Sequence, residues 1–143
     1  MNRIFFALVA IAFAATVLAQ LTWAPAITHA DVQAVALADG SLLAVGGGQA
    51  DRMVGETWRD TPDPGRSGTL VAAAGGALLV GGEDPSAEVL RFDGRAWVPA
   101  APLPVAVAGP AAATSRGRAV VAGGRTATGT NENVYVYESE TDT

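Results

Sequence analysis

The chain has 143 residues, half of them apolar and 16% charged, and its nine arginines and fourteen acids give a net charge of -5. So apolar a composition excludes a disordered chain, and the negative charge excludes the field that gathers nucleic acid or an anionic membrane surface. The absence of cysteine removes disulfides, a thiolate nucleophile and cysteine-based metal sites.

The first predicted element is a signal peptide over residues 1–19. Asn2 and Arg3 precede Ile4 to Ala19, sixteen residues without a charge that close on Val17-Leu18-Ala19, with small side chains where a signal peptidase reads. Cleavage after Ala19 would leave 143 minus 19, or 124 residues, in a secreted or periplasmic protein. The competing arrangement is an uncleaved anchor, the only membrane contact the sequence allows. The charge-free stretch is short of the roughly 20 residues that span a bilayer unless it continues through Leu21 to Trp23.

Beyond it, short apolar runs stop on paired glycines: Ser41 to Val45 before Gly46-Gly47, Ala77 to Val80 before Gly81-Gly82, and Ala119 to Ala122 before Gly123-Gly124. Each is preceded by another strand candidate across a turn dipeptide. Val32 to Leu37 leads into Asp39-Gly40, Thr69 to Ala73 into Gly75-Gly76, and Ala111 to Thr114 into Arg116-Gly117. These pairs predict β-hairpins. Runs of four or five apolar residues bounded by glycine are too short for helices, and their unbroken apolar character predicts inner strands covered on both faces.

After each diglycine the chain turns polar and then returns to an aromatic. Trp23 stands 24 positions before Gly47, Trp58 stands 24 before Gly82, and Trp97 stands 27 before Gly124, while the diglycines lie 35 and 42 apart. Periods of this size are those of propeller blades and solenoid units. The second unit is the fullest: Gly81-Gly82, a strand over Val89-Leu90-Arg91-Phe92, the turn Asp93-Gly94, then Trp97 and a Pro99, Pro102, Pro104 segment. The first has Met53 five residues before Trp58 where the second has Phe92 before Trp97, and the third ends on Val134 to Tyr137 without a Trp.

This pattern resembles the kelch repeat of β-propellers, over about Leu21 to Tyr137. The resemblance implies an all-β, antiparallel partial propeller of about three blades, with units over 26–62, 66–104 and 105–143 and a fold like the central domain of galactose oxidase. A β-sandwich is the alternative fold. Propellers close with about four to eight blades. Three blades therefore imply a fragment of a longer propeller, or a homo-oligomer that shares a ring, with Leu21 to Pro25 completing the strands after Tyr137. Trp58, Trp97, Phe92 and Tyr137 read as packing between blades, and the glycines as backbone devices.

Candidates for chemistry are few. His29 is the only histidine, so no histidine pair exists, and nothing spaced near it supplies a nucleophile. The glycine runs lack the Gly-Lys-Ser/Thr of a phosphate loop. Asp51, Glu83 and Asp84 follow diglycines as ordinary solvated acids. A galactose oxidase copper site needs two histidines and a cysteine-linked tyrosine, which excludes that activity. Kelch-type sugar mutarotases hold an acidic sugar with arginines, so Arg52, Arg91 and Arg125 are the candidate ligand contacts if the chain is an enzyme. The preferred expectation is a non-catalytic binding or scaffold module without metal or cofactor, whose loops contact protein or carbohydrate. The alternatives are a mutarotase-like enzyme and a truncated fragment without activity of its own.

Overall fold

A computed structural model describes residues 31–139, so the predicted signal peptide, Trp23 and His29 lie outside the described residues. Eleven strands form three antiparallel sheets, each a meander in sequence order. The first contains β1 (Gln33–Ala36), β2 (Leu42–Gly46), β3 (Gln49–Val54) and β4 (Thr57–Asp60). The middle sheet contains β5 (Thr69–Ala73), β6 (Gly76–Val80), β7 (Val89–Phe92) and β8 (Trp97–Ala100). The third contains β9 (Ala111–Ser115), β10 (Arg118–Ala122) and β11 (Val134–Tyr137). The fold is all-β and antiparallel, and its three sheets differ from the two layers of a sandwich.

Period-two alternation explains why continuously apolar runs form strands here. Successive side chains of a strand point to opposite faces, so an unbroken run serves a sheet packed on both sides. Leu70, Ala77, Leu79 and Phe92 of the middle sheet join Leu37, Leu43, Val45 and Ala50 of the first in one buried cluster. Their neighbours Val71, Ala73, Leu78, Val80 and Val89 join Ala119, Val121 and Tyr137 of the third in another. The order is therefore first, middle, third.

Not every predicted inner strand is covered on both faces. Val32 to Leu37 and Ala111 to Thr114 supply β1 and β9, which are edge strands with mostly exposed side chains. They lie beside β5 instead of beneath another layer. Three side chains tie these edges together. The Gln33 amide donates to Gly68 O at 2.6 Å and accepts from Leu70 N at 3.0 Å. Thr114 Oγ1 donates to Ala72 O at 2.7 Å, and Thr69 Oγ1 to Pro110 O at 2.8 Å.

Strands β3, β4 and β8 were not legible as apolar runs bounded by glycine, yet they complete the two larger sheets. Their register brings out the repeat. Phe92 pairs with Trp97 across β7 and β8, and Met53 pairs with Trp58 across β3 and β4. The Phe92 and Trp97 rings lie 5.2 Å apart and pack into the cluster between the first two sheets. Trp97 Nε1 also donates to Pro62 O at 2.8 Å, pinning the chain that connects those sheets.

Phe92 is fully buried at this junction, so Phe92→Ala is expected to lower stability by about 3–5 kcal/mol. Val98→Ala, on an exposed position of the next strand, is expected to change it by less than about 0.5 kcal/mol. Urea denaturation of the two variants against the parent checks the contrast.

Candidate functional site

Antiparallel meanders put alternate turns at opposite ends of each sheet, and all three diglycines fall at the same end. There a cleft of about 770 Å³ opens between the sheets. Gly46 to Gly48 come from the first sheet, Gly82 and Glu83 from the middle one, and Arg125 from the loop after β10. The linkers between sheets provide Asp63, Arg66 and Gly109, and Asp31 lies ahead of β1. Its size falls among pockets that take small ligands, about 300–1,000 Å³.

The glycines contribute through close backbone approach. The linker from β8 to β9 crosses the second and third diglycines, bridging Gly82 to Ala108 and Ala108 to Arg125. At Gly81, where φ is +71°, a Cβ would stand 2.8 Å from Val107 O. At Gly124, where φ is +91°, one would stand 3.0 Å from Ala108 O. A side chain at either position would push the linker away and open the cleft wall.

Two arginines stand at the cleft. Arg125 pairs its backbone with Ala108 in both directions, at 2.8 and 2.9 Å, and its Nη2 donates to Glu83 O at 3.3 Å. Arg66, which the sequence reading passed over, pairs with Glu88 and donates to Gly81 O and to Ser86 Oγ. It clasps the linker between the first two sheets onto the second diglycine loop. Its only sequence signal is an arginine among the turn formers Pro64, Gly65 and Gly68. With Asp31, Asp63 and Glu83 against Arg66 and Arg125, the cleft side chains carry three acids and two cations.

The three candidate arginines do not converge. Arg52 and Arg91 occupy equivalent positions in β3 and β7, paired with Leu43 and Leu78, and both reach toward the opposite end of the sheets. Arg52 donates through Nε to Ser41 Oγ at 3.1 Å, through Nη1 to Gly94 O at 3.3 Å, and through Nη2 to Asp39. Arg91 lies over Gly75, where a Cβ would meet its Nη2 at 2.8 Å. Both are bound up with turns, so only Arg125 of the three faces the cleft. Of the candidate acids, Glu83 lines the cleft and Asp51 sits within β3. Asp84 follows Glu83, and its carbonyl lies 3.1 Å from where a Cβ on Gly82 would stand. Among the described residues no three His, Cys, Asp or Glu side chains group to hold a metal.

No protein-family model matches the chain, and no curated protein matches it.

The far end carries the clearest electrostatics. Asp39 is held below its ordinary value of 3.8, first by hydrogen bonds from the Ser41 hydroxyl and N–H and then by Arg52. The backbone N–H groups of Ala96 and Arg95 do the same for Asp93. A depressed carboxylate adds stability that is complete above its unfolded value and is lost as pH falls through the lower folded value. Carboxyl NMR titration is expected to give both groups midpoints below 3.8. Ser41→Ala is expected to raise the Asp39 midpoint and leave that of Asp93 unchanged.

Proposed function

We propose that this chain is an exported, non-catalytic binding module built as a partial kelch-like propeller of about three blades, which takes a neutral carbohydrate at the diglycine cleft. Three features support the propeller reading. Each sheet is a sequential meander, the diglycines close equivalent strands, and Phe92–Trp97 and Met53–Trp58 share one register. The first strands of the sheets, β1, β5 and β9, also lie side by side, as inner blade strands do around a propeller axis.

The observation that carries the ligand is the cleft itself. Seven glycines line it and bring backbone to its surface, and its charged side chains are of mixed sign with acids in slight excess. Such a surface suits hydroxyl-rich, uncharged ligands and disfavours anions. An acidic sugar would want the three arginines together, and two of them serve turns at the other end. Export rests on the sequence of residues 1–19.

Titration calorimetry with neutral oligosaccharides is expected to give binding that weakens roughly tenfold in Arg125→Ala, the loss of one charge-assisted hydrogen bond. Arg118→Ala, at the opposite end of the third sheet, is expected to bind as the parent does. Binding of sialylated but not neutral sugars would overturn the assignment. Export is checked by sequencing the N-terminus of secreted protein, which is expected to begin at Gln20.

A further inference from the structure

The two internal junctions between sheets are the same junction made twice. In the first sheet Leu43 and Val45 face the middle sheet. Aligned on the diglycines, their counterparts in the middle sheet are Leu78 and Val80, which face the third. On the receiving side, Ala77, Leu79 and Phe92 of the middle sheet meet the first. Their counterparts Ala119, Val121 and Tyr137 in the third sheet meet the middle. Each sheet thus offers one kind of face forward and another backward, which is the geometry of a heterologous, head-to-tail interface.

Among the described residues, one face of each kind is left over at the ends of the stack. The third sheet turns outward the counterparts of the donor face, Val120, Ala122, Val134 and Val136. Val134 is 63% exposed and Val136 46%. The first sheet turns outward the counterparts of the acceptor face. There the half-buried Leu42 takes the place of Ala77, and the half-buried pair Met53 and Trp58 take those of Phe92 and Trp97, while Ala44, in the place of Leu79, is already buried at 1% exposure between them. At the internal junctions the place of Val134 is held by Ala50 and Val89 and that of Val136 by Arg52 and Arg91, so Val134 keeps the apolar character that the acceptor face has twice received, and Val136 makes the outer donor face more apolar than the inner ones.

We propose that a second copy of this chain docks head to tail, the outward face of its first sheet covering Val120, Val134 and Val136 of the third. Ring closure, which rests on the propeller reading, follows if the rotation between sheets repeats. Two copies of the three described sheets would then stand as six, within the roughly four to eight blades that propellers use.

Sedimentation of the full chain separates these levels, since a discrete dimer is expected for a closed pair. Open-ended polymers would keep the head-to-tail contact and overturn ring closure. A monomer at concentrations of tens of micromolar would overturn the docking itself, while carbohydrate binding by that monomer would leave the reading of the cleft intact. Val134→Arg on the donor face, where the internal counterparts are the buried Ala50 and Val89, and Met53→Arg on the acceptor face are each expected to weaken dimerisation by about tenfold or more, because each leaves a charge in an apolar contact. Mixing the two variants is expected to restore a one-to-one dimer, since one junction then joins two unaltered faces, a rescue that misfolded variants would not give. Loss of dimer in Val134→Arg with none in Met53→Arg would mean that the third sheet pairs with its own copy, and would overturn the proposal.

Discussion

Burial of both faces of the middle sheet is the constraint on which the rest of the structure depends. Leu78 and Leu79 are neighbours in sequence and both almost fully buried, yet they belong to different clusters. At roughly 1.5–3 kcal/mol for each large side chain fully buried, neither neighbouring sheet could be removed without exposing several such residues at once. The first and third sheets, each covered on one recorded face by a cluster, lean on the middle one more than it leans on either.

The two ends of the stack divide the labour. At the hairpin end, side chains hold turns: Asp39 and Asp93 accept backbone or hydroxyl hydrogens, and Arg52 reaches from the first sheet to Gly94 of the second. At the diglycine end the backbone comes close to backbone, and Arg66 and Arg125 span between loops. A rigid lattice of turns at one end leaves the other free to be shaped as a concave surface, and the loops there differ in length and composition from sheet to sheet.

Much of the fold was legible because apolar runs bounded by glycine admit little besides short strands. Eight of the strands lie where such runs or the Val89 and Val134 segments predicted them. Strands β3, β4 and β8 were not, since Gln49 to Val54 owes its conformation to pairing with β2 and not to its own composition, and Pro99 interrupts the reading of β8. The cleft was half legible. The diglycines marked where loops gather, but a sequence does not say which direction a long side chain takes, so Arg52 and Arg91 read as equals of Arg125. Arg66 and Gln33 were invisible for a related reason: their importance comes from backbone groups 15 and 35 positions away, which only folding brings near.

The Gln33 bridge has a bearing on solubility. β5 is the edge of its sheet, and an edge strand exposes N–H and C=O groups that recruit any passing strand. Here Gln33 engages Leu70 N and Gly68 O, and Thr114 engages Ala72 O, so side chains of the flanking sheets occupy backbone groups along that edge. An amide or hydroxyl satisfies such a group without imposing the spacing and twist of a strand ladder. The neighbouring sheets can therefore stay distinct layers set at an angle, where direct pairing of β1 with β5 would fuse them into one broad sheet. A glutamine and a threonine in otherwise alanine-rich strands thus act as a guard against templated aggregation as well as a brace between layers.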